Sequence, residues 1–329
     1  MTFKAGLIGF GYWGSILLRN FNSNNDVEIK TICDRNTSKL KNASSFSPKS
    51  HVSQDAENIF NDADIDFVII ATQGSSHYNL VRRSLLSGKH VFVEKPFALN
   101  LKQAEELNSL NKECDLLIMV DHTFLFSPEY KIVKDILKKN ELGKLLNFHS
   151  TRTDFGKFQN DVSILGHLMY HDAYILLDLF GEPDSLEIKA SGSAHIVDSL
   201  EDTALVSIVY PAGFNAEIIN NMLQPTKERK IILTGDKAIL LWDDMALDGN
   251  KLKFYNKNVF YDKKEEKFEY KSNGPSILLK VSKKQALENE IIYFISCLKN
   301  NRKPMNNECS ALKVMSFLEK IQNSMLRKG

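Results

Sequence analysis

A single stretch near the amino terminus restricts the fold of this chain more than any other. Ala5 to Ile8 is a short apolar run, and directly after it the chain reads Gly9-Phe10-Gly11-Tyr12-Trp13-Gly14, a GxGxxG spacing. Glycine-rich hexamers occur in many loops, so the setting carries the meaning. The apolar run predicts a strand, a helical pattern runs from Trp13 to Phe21, and a second strand, Glu28 to Cys33, leads to Asp34, twenty residues beyond Gly14. That order of elements is the dinucleotide-binding fingerprint. Gly9 permits the tight turn, Gly11 lets backbone approach a pyrophosphate, and Gly14 lets helix and strand pack closely. Phe10, Tyr12 and Trp13 complete the loop, and the helix N-terminus offers free amides to phosphates.

Asp34 at the strand end can accept hydrogen bonds from both adenosine ribose hydroxyls, each charge-assisted bond contributing roughly 1.5–3 kcal/mol. The same carboxylate repels a 2′-phosphate, which predicts NAD as cofactor with NADP as the alternative. Arg35 keeps that alternative open. Its guanidinium can stack on adenine, compensate a phosphate or lie in solvent.

From Phe3 to about His122 short apolar runs alternate with helical stretches, the pattern of a parallel sheet with helical crossovers. Further strands are predicted at Phe67 to Ile70, His90 to Val93 and Leu116 to Val120. Beyond residue 123 the character changes. Helices are predicted at Pro128 to Lys139 and Ile164 to Phe180, the latter stopped by Gly181, with strands at Lys144 to Thr153, Ala204 to Tyr210, Ala216 to Met222, Lys230 to Thr234 and Lys251 to Asn256. Asp262 to Lys267 reads as a solvated hairpin end, because its charges cancel. Helical patterns at Val281 to Lys299 and Ser310 to Met325 close the chain. The predicted class is α/β: a Rossmann domain over residues 1–122, with helices on both faces of a parallel sheet, then an α+β domain over residues 123–329 with a large, mostly antiparallel open sheet. The C-terminal helix is free to pack back on the first domain.

A chain of 329 residues is long enough for two cores. Its 42 Lys and Arg balance 41 Asp and Glu, so there is no global field to hold nucleic acid or an anionic membrane. Cys33, Cys114, Cys297 and Cys309 lie far apart, without CxxC pairs, which fits a reducing cytoplasm rather than a disulfide scaffold. The apolar stretch from Ala5 to Leu18 is interrupted by glycines and lacks a cleavage site, so it is not read as a secretory signal, and no run of eighteen apolar residues predicts a membrane span.

At Val93-Glu94-Lys95-Pro96 the chain resembles the Gfo/Idh/MocA family of sugar and polyol oxidoreductases. The likeness extends through the glycine loop, the Ala71-Thr72 segment with His77, the Val120 to Pro128 stretch, and the helix His167-Leu-Met-Tyr-His171-Asp172 through Gly181. It implies catalysis in a cleft between the two domains, and an open sheet that forms a homodimer or homotetramer interface. An apolar sheet face with too few helices to cover it points the same way. Carried over by residue, Lys95 matches the lysine that contacts the reacting hydroxyl and His171 the general acid/base, and His167 is the third catalytic candidate, holding substrate or tuning His171. Glu94, Thr72 and His77 match cofactor-side positions, and His122, Arg152, His167 and Asp172 join Lys95 and His171 as substrate-side candidates.

The chemistry agrees with this assignment. Oxidising a secondary alcohol requires a hydride to leave carbon while a base takes the hydroxyl proton, and histidine titrates in the right range. A lysine near the same oxygen stabilises developing alkoxide charge. His167 and His171 lie four apart, on one helix face. No third ligand motif accompanies them, so no metal is predicted. His167 stands where the resembled family usually carries aspartate, and Asp172 is a candidate substitute. Gly11 to Gly14 and the Arg152 to Gly181 stretch resemble the branch acting on UDP-N-acetylhexosamines at C3. A free sugar or inositol dehydrogenase is the enzymatic alternative, and a non-catalytic NAD-binding sensor or scaffold is the alternative from another class.

Overall fold

The computed structural model describes residues 2–156, 158–182, 187–247 and 249–326. They form two compact units, one of residues 1–123 with 286–316 and one of residues 124–285 with 317–329. The stretch 286–316 therefore belongs with the first unit, whereas the sequence reading assigns residues 123–329 to a second domain and lets only the C-terminal helix pack back on the first. The reason is apolar packing, given below.

In the first unit the order is β1 (Phe3–Ile8), α1 (Tyr12–Asn22), β2 (Val27–Cys33), α2 (Thr37–Phe46), β3 (His51–Ser53), α3 (Glu57–Phe60), β4 (Phe67–Ile70), α4 (Gly74–Leu86), β5 (His90–Val93), α5 (Leu101–Cys114) and β6 (Ile118–Val120). The six strands pair in parallel in the order β3-β2-β1-β4-β5-β6. Every residue of β4 is buried, as expected of a central strand covered on both faces. The chain moves outward from β1 in one direction to β3 and then returns to β4 on the other side. Beyond the carboxyl ends of β1 and β4 lies the switch point where open parallel sheets take ligands. Strand β3 escaped the sequence reading because three residues are too few to show a period.

α8 (Ala286–Lys299) and the beginning of α9 (Glu308–Leu326) complete this unit. Phe294 of α8 is fully buried and meets Phe67 and Phe92 edge-on, at ring distances of 5.3 and 5.5 Å. Phe21 of α1 joins the same cluster at 5.3 Å from Phe92.

The second unit contains α6 (Pro128–Lys138), β7 (Leu145–Phe155), a π-helical turn (Leu165–Met169) running into α7 (Tyr170–Phe180), and nine further strands. These are β8 (Glu187–Ser193), β9 (Thr203–Val209), β10 (Asn215–Asn221), β11 (Leu223–Gly235), β12 (Ile239–Asp243), β13 (Leu252–Tyr255), β14 (Lys257–Asp262), β15 (Lys267–Ser272) and β16 (Ile277–Leu278). An eight-stranded sheet runs β16-β13-β12-β11-β7-β10-β9-β8, antiparallel except for β7 with β10, and β14 pairs with β15 as a separate hairpin. Alternation along β9 and β10 turns Ala204, Val206, Ile208, Ala216 and Ile218 inward, whereas Leu205 and Val209 are exposed. One face is thus core and the other is open. Ser127 caps α6 by accepting the Tyr130 amide, with Pro128 in the first turn, and α7 stops at Gly181, whose φ is +74°. No described helix is long and apolar enough to cross a membrane.

Candidate active site

The glycine loop obeys the packing its spacing predicts. Gly9 has φ +97°, and a Cβ there would lie 2.5 Å from the Ala71 carbonyl oxygen. A Cβ on Gly14 would lie 2.0 Å from the Gly9 oxygen, so only glycine lets α1 start this close to the turn. Nothing stands within 4 Å of the Cβ direction of Gly11. Gly11 is also the N-cap of α1 and supplies no side-chain cap, so the first-turn amides face that open space. A dinucleotide pyrophosphate fits such a cradle. Asp34 accepts the Phe10 amide on Oδ2 at 2.8 Å and the Asn36 amide on Oδ1 at 2.8 Å. The carboxylate thus braces the loop, with Lys39 3.7 Å away. Phe10 is buried against Phe46, Tyr12 is 73% exposed, and Arg35 is exposed.

Thr72 and His77 follow β4. His77 is buried, its Nδ1 2.7 Å from the Pro96 carbonyl and its Nε2 3.2 Å from the Thr72 carbonyl. It braces the loops after β4 and β5. Thr72 Oγ1 accepts from Ser76 at 2.7 Å.

Lys95 stands directly beyond β5, half-buried and joined to Pro96 by a cis peptide. Beneath it lies a group of buried acids. Burial, then the Asp121 charge, hold the Glu94 carboxyl well above the usual carboxylate range, with Lys95 opposing. Glu290 of α8 is raised in the same way, by burial and then Asp121. Glu290 Oε1 accepts the His122 amide at 3.0 Å and the Asn306 amide group at 3.2 Å. Asp121 accepts Trp13 Nε1 at 3.1 Å, which ties the glycine loop to the end of β6. His122 is fully buried, and burial pushes its imidazole down to about 3, so it is neutral. Asp121, Glu290 and Asn306 were missed in the sequence. One signal was available: Glu290 falls on the helix face of Leu287, Ile291 and Phe294, where a charged residue is out of place.

In the second unit, His171 opens α7 and His167 lies in the π turn before it. Such turns recur at functional sites. His171 Nδ1 is 3.1 Å from Tyr174 Oη, and its ring meets Phe124 edge-on at 5.3 Å. Both contacts fix the ring plane. Asp172 does not take the place of the missing aspartate. It is completely buried and accepts from Ser150 at 2.7 Å, Arg152 Nε at 3.0 Å and Asn220 at 2.9 Å. Neighbouring positions on a helix point about 100° apart, so Asp172 faces the sheet. Among the described residues no group of three or more His, Cys, Asp or Glu is placed to hold a metal ion.

Residues 3–122 match a family model described as oxidoreductase family, NAD-binding Rossmann fold, and residues 130–241 match the GFO/IDH/MocA C-terminal domain. The chain belongs to the Gfo/Idh/MocA oxidoreductases. Its first unit is the family's NAD-binding Rossmann domain. The uncharacterized oxidoreductase YdgJ of Escherichia coli is 30% identical over 160 residues, 48% of this chain and 44% of the relative. The inositol 2-dehydrogenase/D-chiro-inositol 3-dehydrogenase of Lactiplantibacillus plantarum is 24% identical over 255 residues, 72% of this chain and 70% of the relative. KijD10, a 3-ketoreductase from Actinomadura kijaniata solved as a K102A mutant with TDP-benzene and NADP, shares the fold, with TM-score 0.83, 17% identity and 98% of both chains covered. The chain spans 44% to 66% of the length of three curated relatives it matches.

Proposed function

We propose that this protein moves a hydride between NAD and a secondary alcohol or ketone of a sugar, a nucleotide-activated sugar being the substrate class and a UDP-N-acetylhexosamine at C3 the favoured example. The observation that carries the reading is the position of Lys95, directly beyond β5 at the carboxyl end of the same parallel sheet that presents the open glycine cradle. Bound nicotinamide supplies the hydride acceptor or donor. Lys95 holds positive charge against the reacting oxygen, and His171, oriented by Tyr174, takes the hydroxyl proton in oxidation and returns it in reduction. Asp34 favours NAD over NADP. Burial raises Glu94, next to Lys95 in sequence, and Glu290 alike, with the Asp121 charge acting in the same sense on both.

The ligand TDP-benzene in KijD10 supports a nucleotide-linked substrate, and the inositol dehydrogenase relative supports the free polyol as the second reading. The protein acts in this reading as a cytoplasmic homo-oligomer, joined through the outer sheet face. A screen of purified protein with NAD against UDP-N-acetylglucosamine, UDP-N-acetylgalactosamine, glucose and myo-inositol, followed by nicotinamide absorbance, tests it. Turnover of the nucleotide sugars is the expected result. Turnover of myo-inositol alone selects the polyol reading, and cofactor binding without turnover on any of them overturns both.

A further inference from the structure

β7 and β11 place Arg152 and Arg229 directly opposite each other in register, so their side chains leave the same face of the sheet. Like charges in that relation repel, and the surroundings compensate them incompletely. Arg152 is 4% exposed. Its Nε bonds Asp172 at 3.0 Å, but its Nη1 is buried without a hydrogen-bond partner among the described residues. Arg229 reaches Asp244 only at 3.6 Å and shares it with Lys251, which is closer at 3.2 Å. Asp154, the other acid acting on Arg229, is paired with Lys227 at 3.0 Å. Burial, and then the Arg152 charge, work against the proton on Arg229.

Both guanidiniums converge on one ring. Arg152 Cζ lies 4.5 Å and Arg229 Cζ 5.8 Å from the centre of Phe124, whose edge is also met by His171. A buried donor left unpaired is destabilising, more so when charged, and a partner such as a ligand group is one reason to keep it. Arg229, with a third of its side chain exposed, leaves this corner open to solvent.

We propose that Arg152 and Arg229 form an oxyanion-binding subsite that holds a carboxylate or phosphate group of the substrate close to the hydroxyl addressed by His171. This rests on the reading of the second unit as substrate-binding, and it adds which side chains hold the substrate's anionic group. A guanidinium pair matches the paired oxygens of either group.

Calorimetric titrations on the full-length protein, without turnover, test the subsite. Glucuronate is compared with glucose and UDP with uridine, so that each pair differs by the anion. Glucuronate or UDP should bind at least tenfold more tightly than its neutral counterpart, and added salt should weaken the binding. Arg229→Gln should remove most of that difference while leaving NAD affinity and Tm unchanged. It is the better variant, since Arg152→Met strands the buried Asp172. Preference for glucuronate identifies a sugar carboxylate as the ligand group, and preference for UDP a diphosphate. Equal binding within both pairs, no binding by either anion, or an unaltered preference in Arg229→Gln overturns the proposal. Anion binding without oxidation of any sugar leaves the subsite standing and refutes the dehydrogenase reading, whereas anion-blind oxidation of myo-inositol does the reverse.

Discussion

Asp34 uses one oxygen on the Phe10 amide and the other on the Asn36 amide, and each oxygen retains a further lone pair. The carboxylate can therefore brace the loop and accept ribose hydroxyls together. Asp34→Ala should weaken NAD binding and abolish the preference over NADP, measured by fluorescence titration with both cofactors. An unchanged ratio would remove Asp34 as the selector. For His171, loss of a general acid/base typically lowers rate by about 10²–10⁴-fold. His171→Ala should show that loss in kcat with NAD affinity intact, and full activity would disqualify it. His167→Asp sets a carboxylate beside His171, which should raise the imidazole pKa and move the optimum for oxidation to higher pH. A pH–rate profile that does not move would show that the two positions do not communicate.

At the scale of elements, β5, β6 and α8 meet at Glu94, His122 and Glu290, and these groups respond to pH in opposite senses. The carboxyls have folded pKa values above the unfolded value of about 4.3. Their contribution to stability is complete below that value and is lost as pH rises through the folded values. His122 is depressed to about 3 from an unfolded value of about 6.5, so its contribution is complete above the latter and lost as pH falls toward the former. Glu290→Gln keeps an acceptor for the His122 amide but removes the titration. Thermal denaturation across pH should show a flatter alkaline limb in this variant and an unchanged acid limb; parallel alkaline limbs would place the proton elsewhere. These elements also show what a sequence can disclose. The glycine loop was legible because local spacing creates its geometry, whereas Lys95 and His171 were candidates through the family resemblance. The burial of His122 and Asp172 and the pairing of Arg229 with Arg152 were not legible, because burial and strand register are set by residues far away in the chain.

At the scale of the whole molecule, the outer face of the large sheet is half-apolar, with Leu205 and Val209 exposed on β9 and Ile219, Ile232 and Leu241 half-buried on its neighbours. A second copy is the cover this face predicts. Light scattering at micromolar concentration should return a dimer or tetramer mass, and Leu205→Lys should shift it toward monomer. A monomer mass for the unaltered protein would overturn the assignment of the face. The open sheet was legible from alternation along its strands. The return of α8 to the first unit was not, since a helical pattern does not name the core it joins.

That return bears on how the polypeptide is born. A ribosome releases the residues of β1 to β6 early, but Phe294 follows the end of that segment by roughly 170 residues, or about 10–30 s of elongation. During that interval Phe67 and Phe92 lack the aromatic lid that later seals them, and the acids around Lys95 lack Glu290 and Asn306. The first unit cannot close before residues 286–316 leave the exit tunnel, because they belong to it. A nascent chain stalled near residue 285 should consequently remain protease-sensitive, and NAD competence should emerge only once residues 286–316 have been released.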